Sequence, residues 1–309
     1  MPRDYDISNN EKQFVLEALK QNLRLDGRKL LQMRDISIVV SPEEYGYVEV
    51  TMGKTKVGCR VSGEITKPYD ERPFEGIFQI STEISPICSP FFESGQTSNS
   101  KQSADEVLIS RLIEKAIRRS NALDLESLCI IAGSKCWSIR ADLQFLNFDG
   151  NFIDISCIAV ITALLHFRKP DLEIDGDQLI VFDTNQRDPT PLSILHIPIC
   201  VTFQFYNPND NEENIKGDLN NELILIDSNL IEERLSLGSM TLTLNKNKEL
   251  CQMLKSGGLN IDATLIIKCC SVASKLVDEL TTKIQKVLKV DEEQRKSGME
   301  SELQVVNDR

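Results

Sequence analysis

The order of apolar patterns along this 309-residue chain constrains its fold more than any single motif. Alternating and β-branched runs predict a first series of strands at residues 36–40, 47–52, 56–64, 77–81, 127–132 and 136–146, with a polar loop at 94–105 and an amphipathic helix at 104–121 within the series. A second series is predicted at residues 197–205, 223–226, 240–244 and 249–254, with a long helix from near residue 262. Strands combined with a helix, twice over, predict an α+β protein with two related halves rather than a doubly wound parallel sheet.

The connection between the two halves is predicted from composition. The strongly apolar run from Ile155 to His166 predicts a buried helix that ends before Pro170. Residues 186–191 contain two prolines and no apolar periodicity, which favours a domain boundary. We therefore expect an N-terminal domain at 1–190, a C-terminal domain at 191–290 and a polar tail at 291–309 whose last dozen residues fray.

The charge balance argues against a protein that grips nucleic acid on its own. The chain has 47 acidic and 35 basic residues, a net charge of −12. Phosphate neutralisation supplies most of the affinity for nucleic acid, so such proteins usually contain a basic domain. Any nucleic-acid contact here must come from a local basic stripe or be shared with partners.

The residues that hold metals or cofactors form no familiar pattern. The nine cysteines include no Cys-x-x-Cys pair, and the two histidines, His166 and His196, are far apart and have apolar neighbours. We interpret the cysteines as reduced, buried thiols and the histidines as packed rather than catalytic. The acid-rich stretch at 210–233 is interpreted as a solvated surface rather than a metal-binding site. We expect no metal and no cofactor.

Two observations bear on where the chain resides. No run approaches the ~20 apolar residues that a membrane span needs. The first residues, Met-Pro-Arg-Asp-Tyr-Asp, lack the apolar region of a secretory signal. We expect a protein that stays inside the cell and makes no membrane contact.

The helix at 104–121 carries the most informative charge pattern. At 100° per residue, one side presents a basic ridge that consists of Arg111, Lys115, Arg118 and, at its edge, Arg119. The opposite side is apolar and consists of Ile109, Leu112, Ile113, Ala116 and Ile117. The ridge has two interpretations that composition leaves open: a solubilising face paired with carboxylates such as Glu114, or a contact to a phosphate backbone.

Five short motifs carry a family resemblance. They are Arg24-Leu-Asp-Gly-Arg28 in a polar turn, Arg72-Pro-Phe-Glu-Gly76 followed by Ser81-Thr-Glu83, Ile113-Glu-Lys-Ala-Ile-Arg-Arg-Ser120, Ala132-Gly-Ser-Lys-Cys-Trp137 and His196-Ile-Pro-Ile-Cys-Val201. Together they span nearly the whole chain and resemble the RNase PH-like subunits of the eukaryotic RNA exosome ring.

The resemblance implies a fold, partners and a location. The fold is RNase PH-like, with two related β-sheet-plus-helix halves and an N-terminal part of the ribosomal protein S5 domain 2-like type. The implied partners are other RNase PH-like subunits in a six-membered hetero-oligomeric ring, S1/KH-type cap subunits, an associated exonuclease and single-stranded RNA. In the family the helix equivalent to 104–121 faces the RNA path, which makes the basic ridge a candidate RNA contact. The implied location is the nucleus, nucleolus and cytoplasm.

Two substitutions separate the chain from active members of that family, which cleave RNA with inorganic phosphate. Ile153 stands where active members have a phosphate-binding arginine, and Ser239 stands where they have a catalytic acid. An alkyl group offers neither charge nor paired donors. We therefore expect a non-catalytic, RNA-guiding subunit; the alternatives are a phosphate-dependent 3′ exoribonuclease with a remodelled site that uses Glu233, and an interaction module without RNA contact.

Overall fold

Five α-helices and fourteen strands make up the part of the chain that the computed structural model describes, which is residues 7–88, 104–175, 178–182, 186–206, 223–257 and 260–307. The first elements are α1 (Asn9–Lys20), β1 (Ile36–Val40), β2 (Tyr47–Met52), β3 (Thr55–Thr66), β4 (Ile77–Ile84), α2 (Ala104–Arg118), β5 (Cys129–Ile131), β6 (Lys135–Asn147) and α3 (Phe152–His166). The remaining elements are β7 (Arg168–Lys169), β8 (Leu172–Asp175), β9 (Gln178–Val181), β10 (Thr190–Pro191), β11 (Ile199–Tyr206), β12 (Leu223–Ile226), α4 (Leu230–Leu235), β13 (Gly238–Leu244), β14 (Leu250–Gly257) and α5 (Ala263–Asn307).

Each half of the molecule is built on one sheet. The first sheet has the order β1-β2-β3-β6-β4, and β5 also pairs with β6. Its pairs are antiparallel except that β4 runs parallel to β6. The second sheet has the order β12-β11-β13-β14 and is antiparallel throughout. These two sheets with their helices confirm the predicted α+β class with two related halves.

Helix α3 lies at the centre of the core. It has no polar side to turn towards solvent, so it must be covered all round. It contacts β2 and β3 of the first sheet and β11 of the second, and the two halves enclose it. One continuous apolar cluster therefore runs through both halves and includes Val50, Ile158, Val201 and Val277.

The C-terminal helix α5 is longer than the sequence indicates. The expectation that the last dozen residues fray is wrong as far as Asn307, because α5 continues to that residue. Arg295 anchors the helix to the first half: its guanidinium lies 4.2 Å from the centre of the Tyr45 ring and donates a hydrogen bond to the carbonyl oxygen of Ser41. It also lies 3.1 Å from Nε2 of His166, a buried residue at the end of α3, as predicted. These contacts join segments that are far apart in the sequence, so no local sequence pattern predicts them.

Local hydrogen bonds explain a second difference. The strand predicted at 127–132 is shortened to β5 because a 3-10 helix occupies Glu126–Leu128. The carboxylate of Asp124 accepts hydrogen bonds from the backbone N–H groups of Glu126 and Ser127, at 3.1 and 3.4 Å, which favours a turn over a strand. The predicted loop at 94–105 lies outside the described residues as far as residue 103. Among the residues described, no helix has both the length and the apolar character needed to cross a bilayer.

A buried ion-pair cluster joins the N-terminal segment to the second half. Arg34 donates to both carboxylate oxygens of Asp227, at 2.9 and 2.6 Å, and Arg24 pairs with Glu232 in the same bidentate manner. Arg28 adds a bond of 3.2 Å to Asp227. Burial by itself would raise the pKa of Asp227, but the hydrogen bonds and charge of Arg34 outweigh it and lower the pKa from its ordinary value.

The cluster corrects the interpretation of the acid-rich stretch. Residues 207–222 lie outside the described part of the chain, but Asp227 and Glu232 are fully buried rather than solvated. Their partners Arg24 and Arg28 belong to the motif that the sequence places in a polar turn. The motif therefore anchors the N-terminal segment to the second half.

Removing one partner of this cluster should destabilise the whole chain. Asp227→Ala leaves the buried Arg34 guanidinium without its bidentate counter-ion and with only the longer, 3.7 Å pair to Asp149, which costs about 3–5 kcal/mol of the free energy of unfolding. The control is Arg60→Ala, which removes an exposed pair with Glu44 and should cost less than about 1 kcal/mol. Urea unfolding of the full chain measures both, and equal small losses would contradict the assigned role.

Candidate functional site

A pocket of about 470 Å³ lies where the two halves meet. Residues of α2, α3, β11, α4 and β13 line it, together with Phe148 and Asn151 from the turn before α3. Ile153 and Ser239, which the resemblance singles out, both line this pocket, as does Glu233. The structure therefore brings the two positions that the resemblance singles out together in one cavity.

The turn before α3 forms one wall of the pocket and is rigidly held. Gly150 has a φ of +82°, and a Cβ atom there would lie 2.7 Å from the carbonyl oxygen of Ser228. Arg34 donates to the carbonyl oxygens of Asp149 and Gly150, at 2.9 and 3.3 Å. The buried ion-pair cluster thus fixes this wall as well as the two halves.

Asn151 connects the turn to buried carboxylates. Its side-chain nitrogen donates to Asp154 at 2.9 Å and to Asp227 at 3.0 Å. Asp154 also accepts hydrogen bonds from the backbone N–H and the hydroxyl of Thr202, at 2.9 and 2.7 Å. Burial raises the pKa of Asp154 to about 7, in spite of these hydrogen bonds, which favour the ionised form.

Glu233 lies at the N-terminus of α3. Its Oε2 accepts a hydrogen bond of 3.1 Å from the backbone N–H of Asn151, and burial raises the pKa of this carboxyl group. The N-terminus of a helix is a favourable place for an anion. Here the chain's own carboxylate occupies that place, and Ile153 beside it adds no charge, so a phosphate would have to displace Glu233.

The basic ridge lies elsewhere on α2. The apolar side of α2 is buried, as predicted. Arg111 and Arg118 line a separate groove beside β4 and Tyr69, and both pair with Glu114, at 3.0 and 3.5 Å.

Glu114 offsets one positive charge of the ridge and leaves a net positive surface. Lys115 and Arg119 are exposed, and within the described part of the chain neither forms an ion pair. The pairing with Glu114 agrees with the interpretation of the ridge as a solubilising face paired with carboxylates. The excess of cations leaves open the other interpretation, a contact to a phosphate backbone.

Several residues of the pocket escape sequence reasoning. Asp154 does not line the pocket but is hydrogen-bonded to the lining residues Asn151 and Thr202. It gives a signal in the sequence, because it is the one carboxylate within the apolar run 152–166. Thr202 and Gln204 alternate with apolar residues in β11 and therefore share a face. Their position in the pocket depends on how the halves pack, which no local pattern shows. Across the described ranges, no group of three or more His, Cys, Asp or Glu residues is arranged to hold a metal ion.

Comparison with known proteins places these features in a family. The model described as "3' exoribonuclease family, domain 1" matches residues 32–170, and "3' exoribonuclease family, domain 2" matches residues 196–275. A chain of the solved Archaeoglobus fulgidus exosome with RNA bound to the active site is 26% identical, with a TM-score of 0.71, and the match covers 89% of this chain and 98% of that one. The chain therefore belongs to the 3′ exoribonuclease family, and its fold is that of an RNase PH-type protein.

Two yeast proteins are more similar still. Exosome complex component RRP45 of Saccharomyces cerevisiae is 55% identical over 96% of this chain and 95% of its own length. Its counterpart in Schizosaccharomyces pombe is 50% identical over the same shares. The chain belongs to the RRP45 family of exosome complex components, which confirms the resemblance found in the sequence.

The stability of the protein should depend on the ionisation of Asp154. Between about pH 4 and pH 7 the unfolded chain loses a proton that folded Asp154 retains, so this group's contribution to stability falls as the pH rises through that window. Asp154→Asn cannot ionise. Its free energy of unfolding, relative to the unmodified chain, should therefore rise by up to about 1.4 kcal/mol per pH unit across the window.

Urea unfolding at several pH values measures this difference. The loss of hydrogen bonds in Asp154→Asn changes the free energy of unfolding by the same amount at every pH. The informative quantity is therefore the slope, against pH, of the difference in this free energy between the two proteins. A difference between the two proteins that stays constant with pH would contradict the assignment.

Proposed function

We propose that the chain is a non-catalytic ring subunit of the RNA exosome that guides single-stranded RNA. The implied assembly is a six-membered hetero-oligomeric ring of RNase PH-like subunits with S1/KH-type cap subunits. An associated exonuclease then carries out 3′-to-5′ RNA processing and degradation, including rRNA processing and mRNA turnover. The proposal places this work in the nucleus, nucleolus and cytoplasm and needs no cofactor in this chain.

The pocket carries the non-catalytic part of the proposal. Phosphorolysis needs a cationic cradle for the attacking phosphate and a group that handles protons at the scissile bond. At the two positions concerned, the pocket presents the alkyl group of Ile153 and the hydroxyl of Ser239. Glu233 occupies the N-terminus of α3 and adds negative charge. An anion therefore meets repulsion where an active enzyme must attract it.

The RNA-guiding part rests on the basic ridge. Its four cations exceed the single charge of Glu114, so a local positive surface remains on a chain with a net charge of −12. Such a surface binds a phosphate backbone without regard to base sequence and weakens as salt increases. Several ring subunits together would supply the remaining charge.

An active enzyme remains the second candidate, because acidic residues persist in the pocket. Asp105 and Glu233 line it together with Arg234. A remodelled site would have to use Arg234 for phosphate and Glu233 for proton transfer. The hydrogen bond between Glu233 and the backbone N–H of Asn151 weakens this alternative, since it holds the carboxylate where phosphate would bind.

A phosphorolysis assay separates the two candidates. The purified full chain, incubated with 3′-labelled RNA and inorganic phosphate, should release no nucleoside diphosphate, because Ile153 offers no charge to phosphate and Glu233 repels it at the N-terminus of α3. The control is the same preparation without phosphate, which reveals contaminating hydrolytic nucleases. Phosphate-dependent release that disappears in Glu233→Gln would establish the enzyme instead.

Charge reversal tests the role of the ridge in the assembled ring. Arg111→Glu, Lys115→Glu and Arg118→Glu together should reduce RNA crosslinking to this subunit. The slope of the logarithm of the RNA-binding constant against the logarithm of the salt concentration should also become shallower, by about 0.7 for each phosphate group that the ridge no longer neutralises.

The matched control reverses three exposed cations of α5, Lys275, Lys283 and Lys286, and should leave crosslinking unchanged. Native mass measurement establishes that both variants enter the ring. Unchanged crosslinking in the ridge variant would favour an interaction module without RNA contact.

A further inference from the structure

Two cysteines face each other across the short hairpin that β5 and β6 form. Cys129 of β5 is the direct partner of Cys136 of β6 in the antiparallel register. Directly opposed residues of an antiparallel pair project to the same face of the sheet, and their Cα atoms lie about 4.5 to 5.5 Å apart. A disulfide bridges Cα atoms at separations of about 4.4 to 6.8 Å. The backbone therefore already holds these two residues at a spacing that a disulfide can span.

The two thiols differ in their access to solvent. Cys129 is half-buried, whereas Cys136 is fully buried. Burial raises the pKa of the Cys136 thiol, and the nearby thiol of Cys129 adds to this effect. An oxidant in solution therefore meets Cys129 first, and Cys136 lies beside it as the thiol that can react with the oxidised product.

A second pair of thiols is close together but lacks this access. Cys157 of α3 and Cys200 of β11 lie within hydrogen-bonding reach of each other. Both are buried, with exposed fractions of 0% and 3%. The pair across the hairpin differs from this one because one of its members is open to solvent.

The hairpin supports the loop that carries the Arg72-Pro-Phe-Glu-Gly76 motif. The carbonyl oxygen of Pro73 accepts a hydrogen bond of 3.0 Å from the backbone N–H of Gly133, and Sγ of Cys129 lies 3.8 Å from the same oxygen. The strand β5 has only three residues, and its register with β6 shifts after Cys129. Because so short and irregular a pairing contributes few hydrogen bonds, a covalent link between the strands would stiffen the hairpin and the loop that contacts it.

We propose that Cys129 and Cys136 are a redox pair that a peroxide converts into a cross-strand disulfide. The Cys129 thiolate attacks one oxygen of hydrogen peroxide, the O–O bond breaks, and a sulfenic acid and one water result. The Cys136 sulfur then attacks the Cys129 sulfur, the S–O bond breaks, and a second water leaves as the S–S bond forms. Two thiols and one peroxide thus give one disulfide and two waters, and a dithiol reductant restores the thiols. Neither RNA binding nor the absence of catalysis enters this proposal.

Peptide mapping of the folded full chain after treatment with hydrogen peroxide tests the pair. Trypsin cleaves between the two cysteines, at Lys135. They therefore fall in separate peptides, 120–135 and 136–140, which only a disulfide joins. The treated chain, alkylated and digested without reductant, should yield this linked pair, lighter by two hydrogen atoms than the sum of its parts. Dithiothreitol added before alkylation should abolish it.

Variants distinguish the roles of the two thiols. Cys136→Ser should lose the linked pair and accumulate sulfenic acid on Cys129, which dimedone traps. Cys129→Ser should lose both products. The matched control is Cys270→Ser, which removes another half-buried thiol and should leave the linked pair unchanged.

The mapping also gives the results that would overturn the redox pair, and it does so in the unmodified chain. One is that both hairpin thiols remain open to alkylation after peroxide treatment. Another is that Cys129 is oxidised to sulfinic acid while no linked pair forms. Equal oxidation of the buried Cys157 and Cys200 would also overturn it, because access to solvent would then not select the pair. None of these results affects the proposed function, which phosphorolysis and RNA crosslinking test separately.

Discussion

The paired hydrogen bonds between Arg34 and Asp227 are the interaction on which the rest of the structure depends. Arg34 belongs to the segment before the first sheet and Asp227 to the second half, so the pair joins the two. Both partners also hold the turn before α3: Arg34 through the carbonyl of Gly150, Asp227 through the amide of Asn151. Removing two charges from water is expensive, and only this bidentate, fully bonded geometry compensates for it. The same ion pair therefore stabilises both the packing of the N-terminal segment on the second half and the wall of the pocket.

Local patterns predicted the fold wherever burial follows a regular period. The strand β2 and the helix α3 were predicted because alternation or continuous apolarity marks each of them. The prediction of a solvated surface, made from composition, was wrong for Asp227 and Glu232. Their ion-pair partners, Arg34 and Arg24, lie far away in the sequence, so the composition near the two acids gives no sign that they are buried. The end of α5 was missed for the same reason, since Arg295 is held by contacts in the first half.

The candidate site was predicted in part. Family resemblance marked Ile153 and Ser239, and the structure places both in one pocket. The charge pattern marked the basic ridge, and the structure places Arg111 and Arg118 in a different groove. Nothing in the sequence indicated that Glu233 would meet the N-terminus of α3. This contact arises from the packing of one half against the other.

The central claim is that this pocket has lost the ability to hold a phosphate for attack on RNA. A structure of the assembled complex, determined with RNA and orthophosphate, tests it most directly. Our account predicts that no phosphate lies beside Ile153 and Ser239 and that RNA passes this subunit uncleaved. Orthophosphate bound at that position, next to the 3′-terminal linkage of an RNA strand, would contradict it.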